Sequence, residues 1–131
     1  MTIVVGYVPT PEGEAALTAA ISESLLREEP VHVVNSSRGD ALVDNRFASE
    51  EGLAAVRERL AAAGVVFEVE QEVRGREASE EIVDIADRLK ANLIVIGLRR
   101  RTATGKLLTG SQAQRILLDA HCPVLAVKAT Y

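Results

Sequence analysis

The chain has 131 residues, 47% of them hydrophobic but only 3% aromatic, with no Trp, so its core must be built from Ala, Val, Leu and Ile. That length predicts a single domain over residues 1–131, able to bury a core without disulfides or metals. A net charge of −4 argues against broad binding to nucleic acid or anionic membranes, and no apolar run approaches the roughly 18–20 residues of a membrane helix. The lone Cys122 cannot form an internal disulfide, which suits a reducing cytoplasm, and Met1 leading straight into an apolar pattern predicts no signal peptide.

In chain order, Thr2–Tyr7 (TIVVGY) reads as a first strand. Thr10-Pro11-Glu12 then looks like a helix start, with Thr as N-cap and Pro in the first helical position. Leu17, Ala20, Ile21 and Leu25 give that helix one apolar face, and Pro30 stops it. Val31–Val34 (VHVV) is the second strand, in which His32 reads as a core or edge histidine rather than a metal ligand. Residues 35–47 lack any clear period and are expected to form a loop beside the site.

Ser49-Glu50-Glu51 caps a second helix with Leu53, Val56, Leu60 and Ala63 on its face, ended by Gly64 in a left-handed conformation. Val65, Phe67 and Val69 alternate with Val66, Glu68 and Glu70, predicting a third strand with one face near solvent. Arg74-Gly75-Arg76 turns the chain into a third helix opened by Ser79-Glu80-Glu81, with Ile82, Ile85, Ala86 and Leu89 aligned. Leu93–Ile96 is the fourth strand, residues 111–119 the fourth helix and Val124–Val127 the fifth strand. Strands alternating with helices imply an α/β fold with parallel pairing and right-handed crossovers.

The last third carries the chemistry. An apolar strand ends at Gly97, a loop rich in Arg, Thr and Gly follows, and Gly110-Ser111 opens a helix. In such a βαβ unit the free amides and dipole of the helix start face the strand ends, where an anion can settle. Gly97 offers close backbone approach, and Ser111 can cap the helix while presenting a hydroxyl; an ordinary turn glycine and an ordinary cap are the plainer alternatives. Arg99, Arg100, Arg101 and Lys106 place four positive charges within eight residues of an acidic protein, which points to an anionic partner. No G-x-G-x-x-G follows the first strand, and Thr104-Gly105-Lys106-Leu107 lacks the hydroxyl and the first glycine of a P-loop. Cys122 has no companion His and Asp at recognisable spacing and reads as a small buried thiol. His121 beside it lacks further ligands at zinc spacing, so no protein-bound metal site is expected.

Gly97, position 100, then Gly110-Ser111, with Gln114-Arg115-Ile116-Leu117 and the run from Ala120 to Val127, resembles the G-x2-G-x9-G-(S/T) signature of the universal stress protein family. The resemblance implies a three-layer sandwich around a five-stranded parallel sheet, the adenine-nucleotide alpha-hydrolase-like fold. It also implies a cytoplasmic stress-response module that binds an adenine nucleotide, with ATP (and Mg2+) the leading ligand, and that pairs as a homodimer through the last strand, Val124–Lys128. By the same resemblance Gly97, Gly110 and Ser111 would cradle phosphate, with charge from Arg99 or Arg100 and Lys106, and Gln112 would belong to the nucleotide site. Val8, Pro9, Thr10, Val33 and Ile96 would surround the nucleoside.

Two positions depart from the family pattern. Val8 stands where the family carries an Asp that contacts the nucleoside, and Val cannot accept a hydrogen bond. Arg100 replaces the second glycine, where its side chain either clamps phosphates or blocks them. A dimeric interaction protein of the same fold without nucleotide binding is therefore the rival reading. A slow ATP hydrolase is a third, with no positioned general base visible to support it.

Overall fold

The computed structural model describes residues 1–37, 48–73, 77–98 and 111–129. Its elements run β1 (Ile3–Gly6), α1 (Pro11–Arg27), β2 (Val31–Ser37), α2 (Glu50–Ala63), β3 (Phe67–Val73), α3 (Ala78–Leu89), β4 (Leu93–Leu98), α4 (Ser111–Asp119) and β5 (Val124–Lys128). The five strands form one sheet in the order β3-β2-β1-β4-β5, and every neighbouring pair is parallel.

Alternation along the strands sends side chains to two cores. Ile3, Val5, Val31, Val33 and Val95 pack against Ala16, Leu17 and Ala20 of α1 and Leu53, Val56 and Leu60 of α2. Val4, Val34, Ile94 and Ile96 pack against Ile82, Ile85 and Ala86 of α3 and Ile116 of α4. Central strands buried on both faces need continuous aliphatic runs, and β1 and β4 supply them.

The caps follow local chemistry. Thr10 is extended and its hydroxyl accepts the Gly13 amide at 3.2 Å, while the Ser49 hydroxyl accepts the Gly52 amide at 3.0 Å. Gly64 ends α2 at φ 77°, whereas α1 and α3 end on left-handed non-glycine residues, Glu28 and Lys90.

Three expectations are corrected. Leu25 is 56% exposed rather than part of the helix face, because the buried stripe runs through Ala16, Leu17, Ala20 and Ser24 and Leu25 lies off it. Its neighbour Ser24 is buried instead, donating its hydroxyl to the Glu29 carbonyl. β2 does not end at Val34: Asn35, Ser36 and Ser37 continue it, in register with Gln71, Glu72 and Val73 of β3. The rest of the predicted loop, residues 38–47, and the turn at 74–76 lie outside the described residues. Gly97 does not close β4, since the ladder passes through it to Leu98.

His32 is buried, with Nε2 2.9 Å from Glu70, which also accepts from Arg88 at 3.1 Å. Cys122 is half-buried, and burial with the nearby Asp87 carboxylate pushes its thiol pKa up, away from nucleophilic thiolate.

Candidate functional site

From β1 the chain steps outward to β2 and β3, then returns to the other side of β1 for β4 and β5. The strand order therefore reverses between β1 and β4, and α/β sheets open a crevice beyond the strand ends at such a point. A cleft of about 160 Å³ lies there. Gly6, Tyr7 and Val8 at the end of β1 line it, with Val34 and Ser36 of β2 and Ile96 and Gly97 of β4. Helix starts supply the remaining walls: Glu12 and Gly13 from α1, Ala78 from α3, and Gln112 and Ala113 from α4.

The rim is held by a buried polar hub. Asn35 is fully buried; its Nδ2 donates to the Tyr7 carbonyl at 2.9 Å, and its Oδ1 accepts from the Ala48 amide at 2.9 Å and Gln71 Nε2 at 3.0 Å. Gln71 also donates to the Ala48 carbonyl at 2.8 Å. One amide side chain thus joins the β1 exit, the approach to α2 and β3. On the far side Tyr7 donates its hydroxyl to Glu14, which also pairs with Arg59 of α2. Burial, and then the bond to Glu14, raises the Tyr7 pKa above the phenol's usual value.

Two glycines let backbones meet at the cleft. A Cβ on Gly97 would stand 2.1 Å from the Glu12 carbonyl oxygen, and one on Gly13 would stand 1.7 Å from the Val8 carbonyl oxygen. No side chain fits at either place, so α1 sits directly on the β1 exit and on β4. Gly97 lines the cleft, but its lack of a side chain is first a packing requirement of α1.

Of the residues expected at the site, Val8, Ile96, Gly97 and Gln112 converge on the cleft. Pro9 and Thr10 are not among its lining residues, and the Thr10 hydroxyl serves as the α1 cap. Val33 is buried in the core under α1 and α2, on the opposite face of the sheet from Ile96; Val34 takes the cleft position instead. An odd–even count from His32 along β2 carries that signal, because successive side chains alternate faces. Gln112 lines the cleft, yet its Oε1 accepts the Ser79 amide at 2.9 Å and its Nε2 donates to Glu77, tying α4 to the start of α3. Arg99, Arg100, Arg101, Lys106 and Gly110 lie outside the described residues, and Ser111 is described only as the first residue of α4.

Residue-type reasoning passed over Glu12, Gly13, Val34 and Ser36 as cleft residues, and Asn35 and Gln71 as its support. Gly13 does carry a signal, since a glycine in a helix's first turn weakens the helix unless packing demands it.

At its polar wall the cleft offers the first turn of α4, whose leading amides have no partners within the helix and suit an anion. The same cleft presents Val34, Ile82 and Ile96, an apolar surface for a flat ring. Among the described residues no group of three or more His, Cys, Asp or Glu is placed to hold a metal ion. None of the described helices is long and apolar enough to cross a membrane.

Comparison with known proteins agrees with this architecture. The chain matches the model of the universal stress protein family over residues 1–128. It is 47% identical over 126 residues to a universal stress protein of Mycolicibacterium smegmatis, covering 96% of both chains. The structure of a universal stress protein from Archaeoglobus fulgidus superposes with a TM-score of 0.84 at 37% identity, covering 98% of each chain. Another from that organism, solved in complex with dAMP, gives a TM-score of 0.74 at 32% identity, again covering 98% of each. Its five-stranded parallel sheet between two helical layers is the adenine-nucleotide alpha-hydrolase-like fold, and the chain belongs to the universal stress protein family.

Proposed function

We propose that the chain is a cytoplasmic stress-response module that binds an adenine nucleotide, ATP foremost, in the cleft between β1 and β4. The observation that carries this reading is the cleft itself: an apolar slot at the reversal of strand order, walled on one side by the first turn of α4. A relative of 32% identity that binds dAMP supports it. The base rests against Val34 and Ile96, and the phosphates reach toward Gly97, Gly110 and Ser111 with charge from Arg99, Arg100 and Lys106. When magnesium accompanies ATP, phosphate oxygens supply ligands to it. The module works by binding, without rapid turnover, because a bound nucleotide with no aligned nucleophile keeps its barrier. It pairs as a homodimer through β5, an edge strand that meets only β4 among the described strands.

Titration with ATP and magnesium by calorimetry tests the reading. Heat of binding is expected, reduced by Ser111→Ala and abolished by Gly110→Arg. No heat at millimolar ATP would instead favour a dimeric interaction protein without nucleotide. Val8 is the observation on that side, because it sets a methyl-bearing wall where a carboxylate would hold a nucleoside. Phosphate release above a no-protein control would overturn the expectation of binding without turnover.

A further inference from the structure

Ser36, near the end of β2, is only 9% exposed and lines the cleft with Val34. Strand side chains alternate faces, so Ser36 shares the Val34 face with Ala78 and Ile82 of α3. Asn35 between them turns the other way, to the Ala48 amide before α2. A serine side chain is one carbon and one oxygen, so its hydroxyl stays beside that wall in every rotamer. Among the described residues none bonds the Ser36 hydroxyl, whereas the other polar side chains of the cleft are engaged. Tyr7 bonds Glu14, Gln112 bonds Ser79 and Glu77, and Glu12 also has a partner. A buried hydroxyl that the fold leaves unbonded costs stability until a ligand or water satisfies it.

Sheet order gives the direction. Phosphates held near Gly97 lie at the end of β4, and β2 lies beyond β1, two strand spacings or about 10 Å away. A nucleotide anchored there turns the base edge remote from its sugar toward β2. Ser36 stands about 7 Å along β2 from Val34, at the margin of a ring resting on that valine.

We propose that Ser36 is a specificity-determining residue, its hydroxyl bonding the N1 and 6-amino edge of adenine. This inference rests on the nucleotide reading. A hydroxyl both donates and accepts, so it meets either N1 or the amino group, while a hydrocarbon edge leaves it unpaired.

The test is calorimetry of the full chain with AMP and with benzimidazole riboside 5′-monophosphate, which keeps sugar, phosphate and bicyclic shape but carries only carbon along that edge. Ser36→Ala is expected to weaken AMP about tenfold, the scale of one hydrogen bond, and to leave the benzimidazole nucleotide unchanged. Ser36→Thr, which keeps the hydroxyl, should retain the wild-type preference for AMP. Urea unfolding of Ser36→Ala should match wild type, because no bond within the protein is lost. Equal weakening of both nucleotides, no change in either, or an alanine variant that unfolds more easily would each overturn the assignment. If the wild type bound neither nucleotide, the nucleotide reading itself would fall, and this one with it.

Discussion

Gln112 at the start of α4 accepts the Ser79 amide at 2.9 Å, so the fourth helix caps the third. The N-cap residue of α3, Glu77, makes no capping bond of its own, and Gln112 fills that place from across the cleft. Gln112→Ala should therefore lower stability by about 1 kcal/mol, the usual worth of a helix cap. Urea unfolding measures it. A loss in nucleotide affinity with stability unchanged would instead make Gln112 a ligand contact.

Asn35 should tolerate change far less. Replacing it with Ala removes the buried partners of the Tyr7 carbonyl and the Ala48 amide, and one of the two bonds of the Gln71 side chain. A cost of about 3 kcal/mol is expected, since each unsatisfied buried group forfeits on the order of 1–3 kcal/mol. A denaturation midpoint within error of wild type would show that the hub is not structural.

The clash at Gly97 predicts that even one added carbon is costly. Gly97→Ala should destabilise the fold by about 2 kcal/mol or more, because the carbon would meet helix backbone rather than a flexible side chain. Thermal unfolding gives the answer. An alanine variant as stable as wild type, with only ligand binding impaired, would restore the view of Gly97 as a pure ligand glycine.

Tyr7 predicts a base-side pH dependence. Its folded pKa is raised, so between the phenol's ordinary value near 10 and the folded value the native state holds a proton that the unfolded chain releases. Its contribution is complete below about pH 10 and falls away as pH rises further. Tyr7→Phe should flatten that limb. The interpretation fails if wild type and variant lose stability in parallel above pH 10.

At the other edge of the sheet, Leu125 on β5 is 36% exposed. If β5 is the dimer seam, Leu125→Glu should shift the chain from dimer to monomer at micromolar concentration in sedimentation velocity, through burial of an unpaired charge. A wild-type chain already monomeric there would remove the seam from consideration.

Much of this protein is decided locally. Thr10-Pro11 and Ser49 start helices because their hydroxyls satisfy first-turn amides, and Gly64 ends one because it adopts a left-handed turn freely. The aliphatic runs at Ile3–Gly6 and Leu93–Leu98 announce strands covered on both faces, and the glycine and serine spacing in the last third resembles its family's signature. What no local pattern contains is which atoms meet across the sheet. Alternation along β2 separates Val33 from Val34, but only the packing of α3 and α4 decides that the cleft opens on the Val34 face. Leu25 is exposed because the buried face of α1 passes through Ala20 and Ser24 instead, and Gly97 is bare because α1 rests on it. Gln112 and Asn35 take their roles from partners 33 and 36 positions away. Such pairings arise only when crossovers bring strand ends together, since sequence encodes torsions and periods while distance is set by packing.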